Sequence, residues 1–365
     1  MKLSQPKSAR IINRARVLGT IRKNPGISKA DLARVLNINK VSVGEIVDAL
    51  ISEGCVKESG KTKVTNGRQP TSLVLVQDFA YVLALDIGPR NCTMAVCDVN
   101  GKTVNLERFP TNIQAKKVEE FCVELMKSAI RLTKLVPQDK LLGAGVTVGG
   151  RIDSSKGIIE SCPYLPWQNI PIAEAFEQIL KVPCILENST AALIRAEAFQ
   201  CDGLVAVDPI MYLEWGERLN LGLVVNGKAA GCNSNIGHLK VATKGLCSCG
   251  NIGCLEAVAS SWAITGSMNG HLKDSWDKVS KEALVAIAKT FAYGAQITGS
   301  RSAIVGGEGS VIPQELLDAL KELCPNLDVH RSVLGDKANI SSAAEIALDK
   351  WIYMSSLLDG VKDYL

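Results

Sequence analysis

Residues able to do chemistry are unevenly spread along this chain. Three of its 12 cysteines and one of its 3 histidines fall between positions 238 and 254, as His238 and the run Cys247-Ser248-Cys249-Gly250-Asn251-Ile252-Gly253-Cys254. Three thiolates and one imidazole make a complete tetrahedral Zn2+ set. Gly250 and Gly253 allow the tight turns that let three sulfurs converge. With protein filling all four positions, no place is left for a reactive water, so the expected metal is structural. An iron–sulfur cluster more usually takes four cysteines. The plain alternative is a set of buried thiols. That is the reading given to the other nine cysteines, among them Cys92 and Cys122, which show no ligand spacing.

Such a site needs a folded scaffold, and the composition supplies one. Hydrophobic residues make up 47% of the chain and charged residues 21%, ordinary values that exclude a largely disordered protein. At about 150 residues per domain, the length predicts two or three domains. No apolar run reaches the roughly 18 residues of a membrane span. The N-terminus, from Met1 to Arg10, lacks the apolar core of a secretory signal. The expected location is therefore the cytoplasm, where thiols stay reduced and disulfides are disfavoured.

From about residue 80, strand-like and helix-like segments alternate, which argues for layered α/β architecture. Strands are expected at Tyr81–Asp86, Thr93–Asp98, Leu142–Val148, Val182–Leu186 and Ile304–Gly307, with more across Tyr212–Val225. Helices are expected at Val118–Leu132, Thr190–Phe199 and Ser341–Leu357.

The first 75 residues differ from the rest in charge. They carry 14 Lys and Arg against 5 Asp and Glu, a balance of +9, whereas the remainder carries 27 against 32, a balance of −5. A basic head on a mildly acidic body is the layout of a nucleic-acid reader joined to a second module. Its pattern is that of a winged helix-turn-helix over residues 1–76. A helix is expected over Ser8–Lys23, broken by Pro25-Gly26. Ser28 caps a short second helix that buries Leu32, Val35 and Leu36. Asn37-Ile38-Asn39 leads to a third helix, whose Val43, Ile46, Val47, Leu50 and Ile51 form an apolar stripe. Gly54 stands where a left-handed cap is expected. Strands at Val56–Glu58 and Ser72–Val76 flank a wing with Lys61, Lys63 and Arg68. Asn39, Lys40, Ser42 and Glu45, at the start of the third helix, are the candidates for contact with double-stranded DNA in the major groove. Arg68 is the candidate for the minor groove. Three-helix units also dock proteins; the charge balance and the basic wing favour DNA.

The segment Gly237-His238 followed by Cys247-x-Cys249-Gly250-x-x-Gly253-Cys254-x-Glu256 resembles the signature of the ROK family. That family groups bacterial sugar-responsive repressors, uncharacterised reading frames and sugar kinases. Leu85-Asp86-Ile87-Gly88, Thr147–Asp153, Pro163–Trp167, Glu187-Asn188 and Val305-Gly306-Gly307 agree with it. The resemblance runs from about Ala80 to the C-terminus, and the head matches the repressor branch. It implies a two-lobed body of the actin-like ATPase (RNase H-like) fold with a sugar site between the lobes. One lobe would span 80–187, completed by 341–365, and the other 188–340. It also implies a homodimer or homotetramer.

A kinase of this family needs a turn of the form Asp-x-Gly-Gly-Thr, where this chain has Asp86-Ile87-Gly88-Pro89-Arg90-Asn91. Pro89 removes an amide donor and Arg90 adds bulk. It needs a Gly-Thr-Gly turn, where this chain has Glu214-Trp215-Gly216-Glu217-Arg218-Leu219, in which Trp215 and Glu217 are expected to crowd the turn and Glu217 to bring negative charge towards the phosphates. It needs an Asp as general base in Glu-Asn-Asp, where this chain has Glu187-Asn188-Ser189, and a serine hydroxyl cannot do that work unaided. No kinase activity and no ATP site are expected.

The resemblance carries sugar contacts to Gly150, Asn188, His238 and Glu256. His238 would bind zinc through one ring nitrogen and face the sugar with the other. A further contact position, glutamate in the family, is Asn235. Losing carboxylates at 189 and 235 removes charge-assisted hydrogen bonds of roughly 1.5–3 kcal/mol each. The effector is then a different or more anionic sugar, such as a sugar phosphate, or a protein partner takes its place. Asn188 and Glu256 also fit plain hydrogen-bonded cleft residues. The leading expectation is a DNA-binding transcriptional regulator of the repressor kind, straddling a two-fold operator. The alternatives are a sugar kinase with an appended basic domain, and a zinc-stabilised body that docks a protein.

Overall fold

The structure is a computed structural model. It describes residues 6–61, 71–111, 118–200, 209–225, 228–230, 236–267, 270–272, 275–307 and 314–361.

The head is built from three helices, α1 (Pro6–Lys23), α2 (Lys29–Leu36) and α3 (Lys40–Ser52), and an antiparallel pair, β1 (Val56–Lys61) and β2 (Thr71–Leu75). Local chemistry sets its punctuation. Ser28 Oγ accepts from the amide of Asp31 at the start of α2, and Asn39 Oδ1 accepts from the amide of Val41 at the start of α3, 2.8 Å. Asn37 ends α2 in the left-handed region, φ 52°. Gly54, φ 77°, closes α3: its amide donates to Ile51 O and that of Cys55 to Leu50 O, the paired bonds of a glycine-terminated helix. The apolar stripe of α3 is buried as expected at Val43, Ile46, Val47 and Leu50. Val35 is a correction, because it is 64% exposed rather than buried. In a helix of two turns, positions three apart reach the edge of the buried face. Here Leu32, Ala33 and Leu36 fill the contact with α1 and α3.

Two five-stranded sheets form the body. In the first lobe β3 (Tyr81–Ile87), β4 (Asn91–Asp98) and β5 (Thr103–Pro110) make an antiparallel meander. After α4 (Val118–Thr133), the strand β6 (Leu141–Val148) joins β3 in parallel. A small sheet of β7 (Arg151–Asp153), β8 (Ile158–Cys162) and β9 (Leu165–Ile170) follows, with α5 (Ile172–Leu180) after it. Then β10 (Cys184–Asn188) adds in parallel to β6, and α6 (Ser189–Gln200) leaves the sheet. The second lobe repeats the plan. Its β11 (Ile210–Trp215), β12 (Leu219–Val225) and β13 (Lys228–Ala230) form the meander. The helices α7 (Leu255–Ala259), α8 (Ser261–Thr265) and α9 (Lys281–Thr298) come next. Then β14 (Ser302–Gly307) and, after α10 (Gln314–Leu323), β15 (Asp328–Arg331) add in parallel. The last helix, α11 (Ala338–Val361), returns to the first lobe and packs on β3 and β6. The repeated strand plan is that of the actin-like fold.

Strand β3 is buried on both faces. Val82 and Ala84 point into the core shared with the head, and Leu83, Leu85 and Ile87 into the core beneath α4 and α5. That explains its unbroken apolar run. The residues facing α11 are small because the helix lies close: a Cβ at Gly145 would stand 2.0 Å from Ala343 O. The first core also runs without a break from α1 and α3 into α11, through Ile340, Ala343, Ala347, Leu348 and Trp351. The head is thus docked on the body. Its anchor is Arg22 of α1, whose Nη1 and Nη2 donate to the two carboxylate oxygens of Glu345 (2.7 and 2.6 Å), while Nε donates to Val99 O at 2.9 Å. The same guanidinium lies 4.4 Å from the ring centre of Phe199 in α6. Among the described residues, no helix is long and apolar enough to cross a membrane.

Candidate functional site

The four predicted metal ligands converge. The ligand atoms of His238, Cys247, Cys249 and Cys254 all lie within 4.8 Å of one another. His238 Nδ1 is 3.5 Å from Cys247 Sγ, and Cys249 Sγ is 3.8 Å from Cys254 Sγ. Tetrahedral zinc with bonds of about 2.3 Å to sulfur and 2.0–2.1 Å to nitrogen has edges of about 3.8 Å and 3.5 Å, so the cage fits that ion. Backbone conformation makes it possible. Gly250 (φ 86°) and Gly253 (φ 79°) are left-handed, and a Cβ on Gly253 would meet Ala242 O at 1.8 Å. The Cys247 amide donates to Asn251 O and the Gly250 amide to Cys247 O, 2.8 and 2.9 Å, which closes the loop on itself.

The cage is tied to the start of β12 through Glu256. Its Oε2 lies 4.0 Å from His238 Nδ1, and its Oε1 accepts from the amide of Leu219 at 3.3 Å. Gly237 has no room for a side chain, since a Cβ would sit 2.7 Å from that carboxylate. Burial raises the Glu256 carboxyl above its ordinary value, and His238 opposes the shift. In the first lobe, Asn188 Nδ2 donates to Gly150 O (3.0 Å) and its Oδ1 accepts from the amides of Thr190 and Ala191, capping α6. Its carboxamide is thus held by the protein at both ends. Gly150 is at φ 117°, with Ser161 O 2.3 Å from where a Cβ would stand. Asn235 lies outside the described residues. Ser189 Oγ is buried with no hydrogen-bond partner among the described residues, and no carboxylate stands at that position.

A cavity of about 330 Å3 opens between the lobes, bordered by the turns 88–91 and 216–218, Gly307 and the first residues of α11. Two guanidinium groups cross it in opposite directions. Arg90, from the first lobe, brings Nε within 2.9 Å of Glu217 Oε1, with side chains 6% and 18% exposed, and donates from Nη1 to Gly270 O, 2.8 Å. Arg218, from the second lobe, pairs with Glu214 at 3.1 Å and donates to Tyr164 Oη at 3.2 Å. Tyr164 in turn donates to Ile87 O and accepts from the Gly149 amide. Asp86, at the floor, accepts from Thr147 Oγ1 at 2.8 Å. Burial raises its carboxyl, and Arg218 and Thr147 oppose the shift. Arg90 and Glu217, from the turns 88–91 and 216–218, are therefore paired with each other. Sequence reasoning read them only as disruptions. The opposite signs of Arg90 and Glu217 in two facing turns were the signal that they pair.

On the head, Lys40 is exposed at the first position of α3, with no partner among the described residues; Ser42 is half-buried and Glu45 exposed. Asn39 spends its side-chain oxygen on the cap. Arg68 lies outside the described residues, as does most of the wing. Several head cations are used internally: Arg14 pairs with Glu53, Lys29 with Asp48 and Arg34 with Asp31. These pairs take up equal numbers of cations and anions of the head and leave its balance of +9 unchanged. Val41, which sequence reasoning passed over, is 68% exposed beside Lys40.

A two-lobed actin-like body behind a winged helix-turn-helix defines the class. Residues 82–305 match the ROK family, and residues 12–57 match a winged helix-turn-helix DNA-binding family. The chain belongs to the ROK family. The xylose repressor of Caldicellulosiruptor bescii is 26% identical over 372 aligned residues, covering 90% of this chain and 93% of its own. A crystal structure of a ROK family transcriptional regulator, a homologue of the Escherichia coli MLC protein, aligns with TM-score 0.70 at 20% identity over 96% of this chain and all of that one. A ROK family glucokinase from Streptomyces griseus, solved with glucose and AMPPNP, aligns with TM-score 0.59 at 21% identity over 73% of this chain and 99% of its own. Repressor and kinase alike share the fold.

Proposed function

We propose that this protein is a sequence-specific DNA-binding repressor of sugar-metabolism genes, released or retained on its operator by a sugar or sugar phosphate bound between the lobes. It acts in the cytoplasm as a homodimer or homotetramer, without kinase activity. Zinc held by His238, Cys247, Cys249 and Cys254 fixes one wall of the cleft. The units are the head, residues 1–76, and the lobes 80–187 with 341–365, and 188–340.

The observation that carries this reading is the placement of Arg22. The helix α11 begins at the cleft with Ala338 and Asn339, and Thr190 in the first turn of α6 donates to Glu214, which borders the cleft. Arg22 of the head touches both, through Phe199 and Glu345. A ligand that shifts the lobes therefore moves the frame on which the head is seated, and it acts only by binding the two arrangements with different affinity. Against phosphoryl transfer stand Ser189 and the Arg90–Glu217 and Arg218–Glu214 pairs. Those pairs fill the two turns with side chains, and Ser189 supplies no carboxylate at the position where the family's kinases hold their base.

Two substitutions test the two halves. Lys40→Ala combined with Arg68→Ala is expected to weaken operator binding and to lower the slope of log K against log salt by about 2, one unit per phosphate contact. Gel-shift titration at several salt concentrations reads both, and unchanged affinity removes these residues from the interface. Glu256→Ala is expected to abolish the effector's influence on operator binding while leaving the affinity without effector intact. A thermal-shift screen of sugars and sugar phosphates supplies the effector, and a retained response takes the cleft out of the mechanism.

A further inference from the structure

We propose that Val41 reads the C5-methyl group of a thymine in the operator and so sets part of the sequence preference of the head. The inference rests on the reading of the head as a DNA-binding module and deepens it.

Val41 serves the fold poorly. It is β-branched at the second position of α3, where a straight-chain residue is the better helix former. At 68% exposed it buries little against the core. The apolar stripe of α3 is complete without it, at Val43, Ile46, Val47 and Leu50. Its position is what gives the side chain a partner. The first turn of a recognition helix is the part that meets base edges. Val41 shares the exposed face of α3 with Glu45 and Asp48, four and seven residues on. Asp48 is paired with Lys29, which removes one negative charge from that face. Asn39 is turned inward to the Val41 amide, and Lys40 stands ready for a phosphate.

An apolar side chain in the major groove has one apolar base-edge partner, the methyl group of thymine. The other groups that distinguish the bases there are hydrogen-bond donors and acceptors, apart from the small C5–H of cytosine. A protein partner could also cover an exposed valine. The surplus of basic residues over the head as a whole, +9 against the −5 of the body, favours the polyanion. Glu45, one turn along the same face, has the complementary polar task of accepting from the N4 amino group of a cytosine.

The test uses the full-length protein and a duplex that it selects from a randomised pool. That duplex is remade with deoxyuridine in place of thymidine at one position at a time, which deletes a single methyl group and leaves every hydrogen-bonding atom. At one or two positions the loss is expected to weaken binding by the wild-type protein about three- to fourfold, the scale of one buried methyl group, by fluorescence anisotropy at fixed salt. Val41→Ala is expected to bind the thymidine and deoxyuridine forms of that position equally. Glu45→Gln is expected to keep the sensitivity while changing the preference elsewhere. Wild-type indifference to deoxyuridine at every position overturns the proposal, and so does full sensitivity retained in Val41→Ala. Failure to enrich any duplex from the pool overturns the DNA-binding reading beneath it. Because Val41 lies outside the core, its variants fold, which circular dichroism verifies before binding is measured.

Discussion

Arg22→Ala is expected to lower the melting temperature by about 5–10 °C and to separate operator binding from the effector. The guanidinium is 3% exposed and its partner Glu345 is 12% exposed. Two parallel hydrogen bonds join them, a third runs to Val99 O, and Phe199 lies against the guanidinium. Removing one member of such a pair leaves a buried carboxylate without its counter-charge, a loss of about 3–5 kcal/mol. Arg22→Lys keeps the charge but not the planar fork, so it is expected to recover only part of the loss. Scanning calorimetry reads the stability. Operator titration with and without effector reads the coupling. If Arg22→Ala melts with the wild type and still responds to effector, the head is not held to the body through this contact.

Cys249→Ser is the second large effect. Cys249 is the exposed member of the cage, and its sulfur stands 3.8 Å from that of Cys254. A hydroxyl in its place is a poor zinc ligand, so the affinity for the metal is expected to fall by about 100-fold or more. Metal affinity is folding energy where the site does not exist in the unfolded chain. The melting temperature is therefore expected to drop by about 10 °C, with a lesser drop on treating the wild type with a chelator. Damage should reach the cleft as well. His238 and Glu256 are 4.0 Å apart, and Gly237 holds the carboxylate against the turn before β12. Effector affinity should fall together with zinc content, measured by elemental analysis on the same sample. A full complement of zinc in the variant contradicts the ligand assignment.

The features legible in the chain were those with short reach. Ser28, Asn37 and Gly54 were read as helix ends because a cap depends on the amides and carbonyls of the next few residues. The metal cage was read because three of its ligands lie within eight residues of one another, with glycines between them. Strands such as β3, β6 and β11 were read because each is a run buried on both faces. The small sheet of β7, β8 and β9 was not read. Its strands are of three, five and six residues, too short for a period of two to be told from chance. Val35 was placed inward because a two-turn helix does not distinguish the centre of its buried face from the edge.

Sequence alone determined the winged head, the alternating body, the cluster of His238, Cys247, Cys249 and Cys254, and the serine at position 189. Each of these depends on residue type at fixed, short separations. Tertiary structure alone decided that Arg22 would meet Glu345, 323 positions away, and that Arg90 and Glu217 would face each other across the cleft. Such pairs form only where chain return and lobe packing bring distant turns together, and their worth depends on the burial that the packing creates.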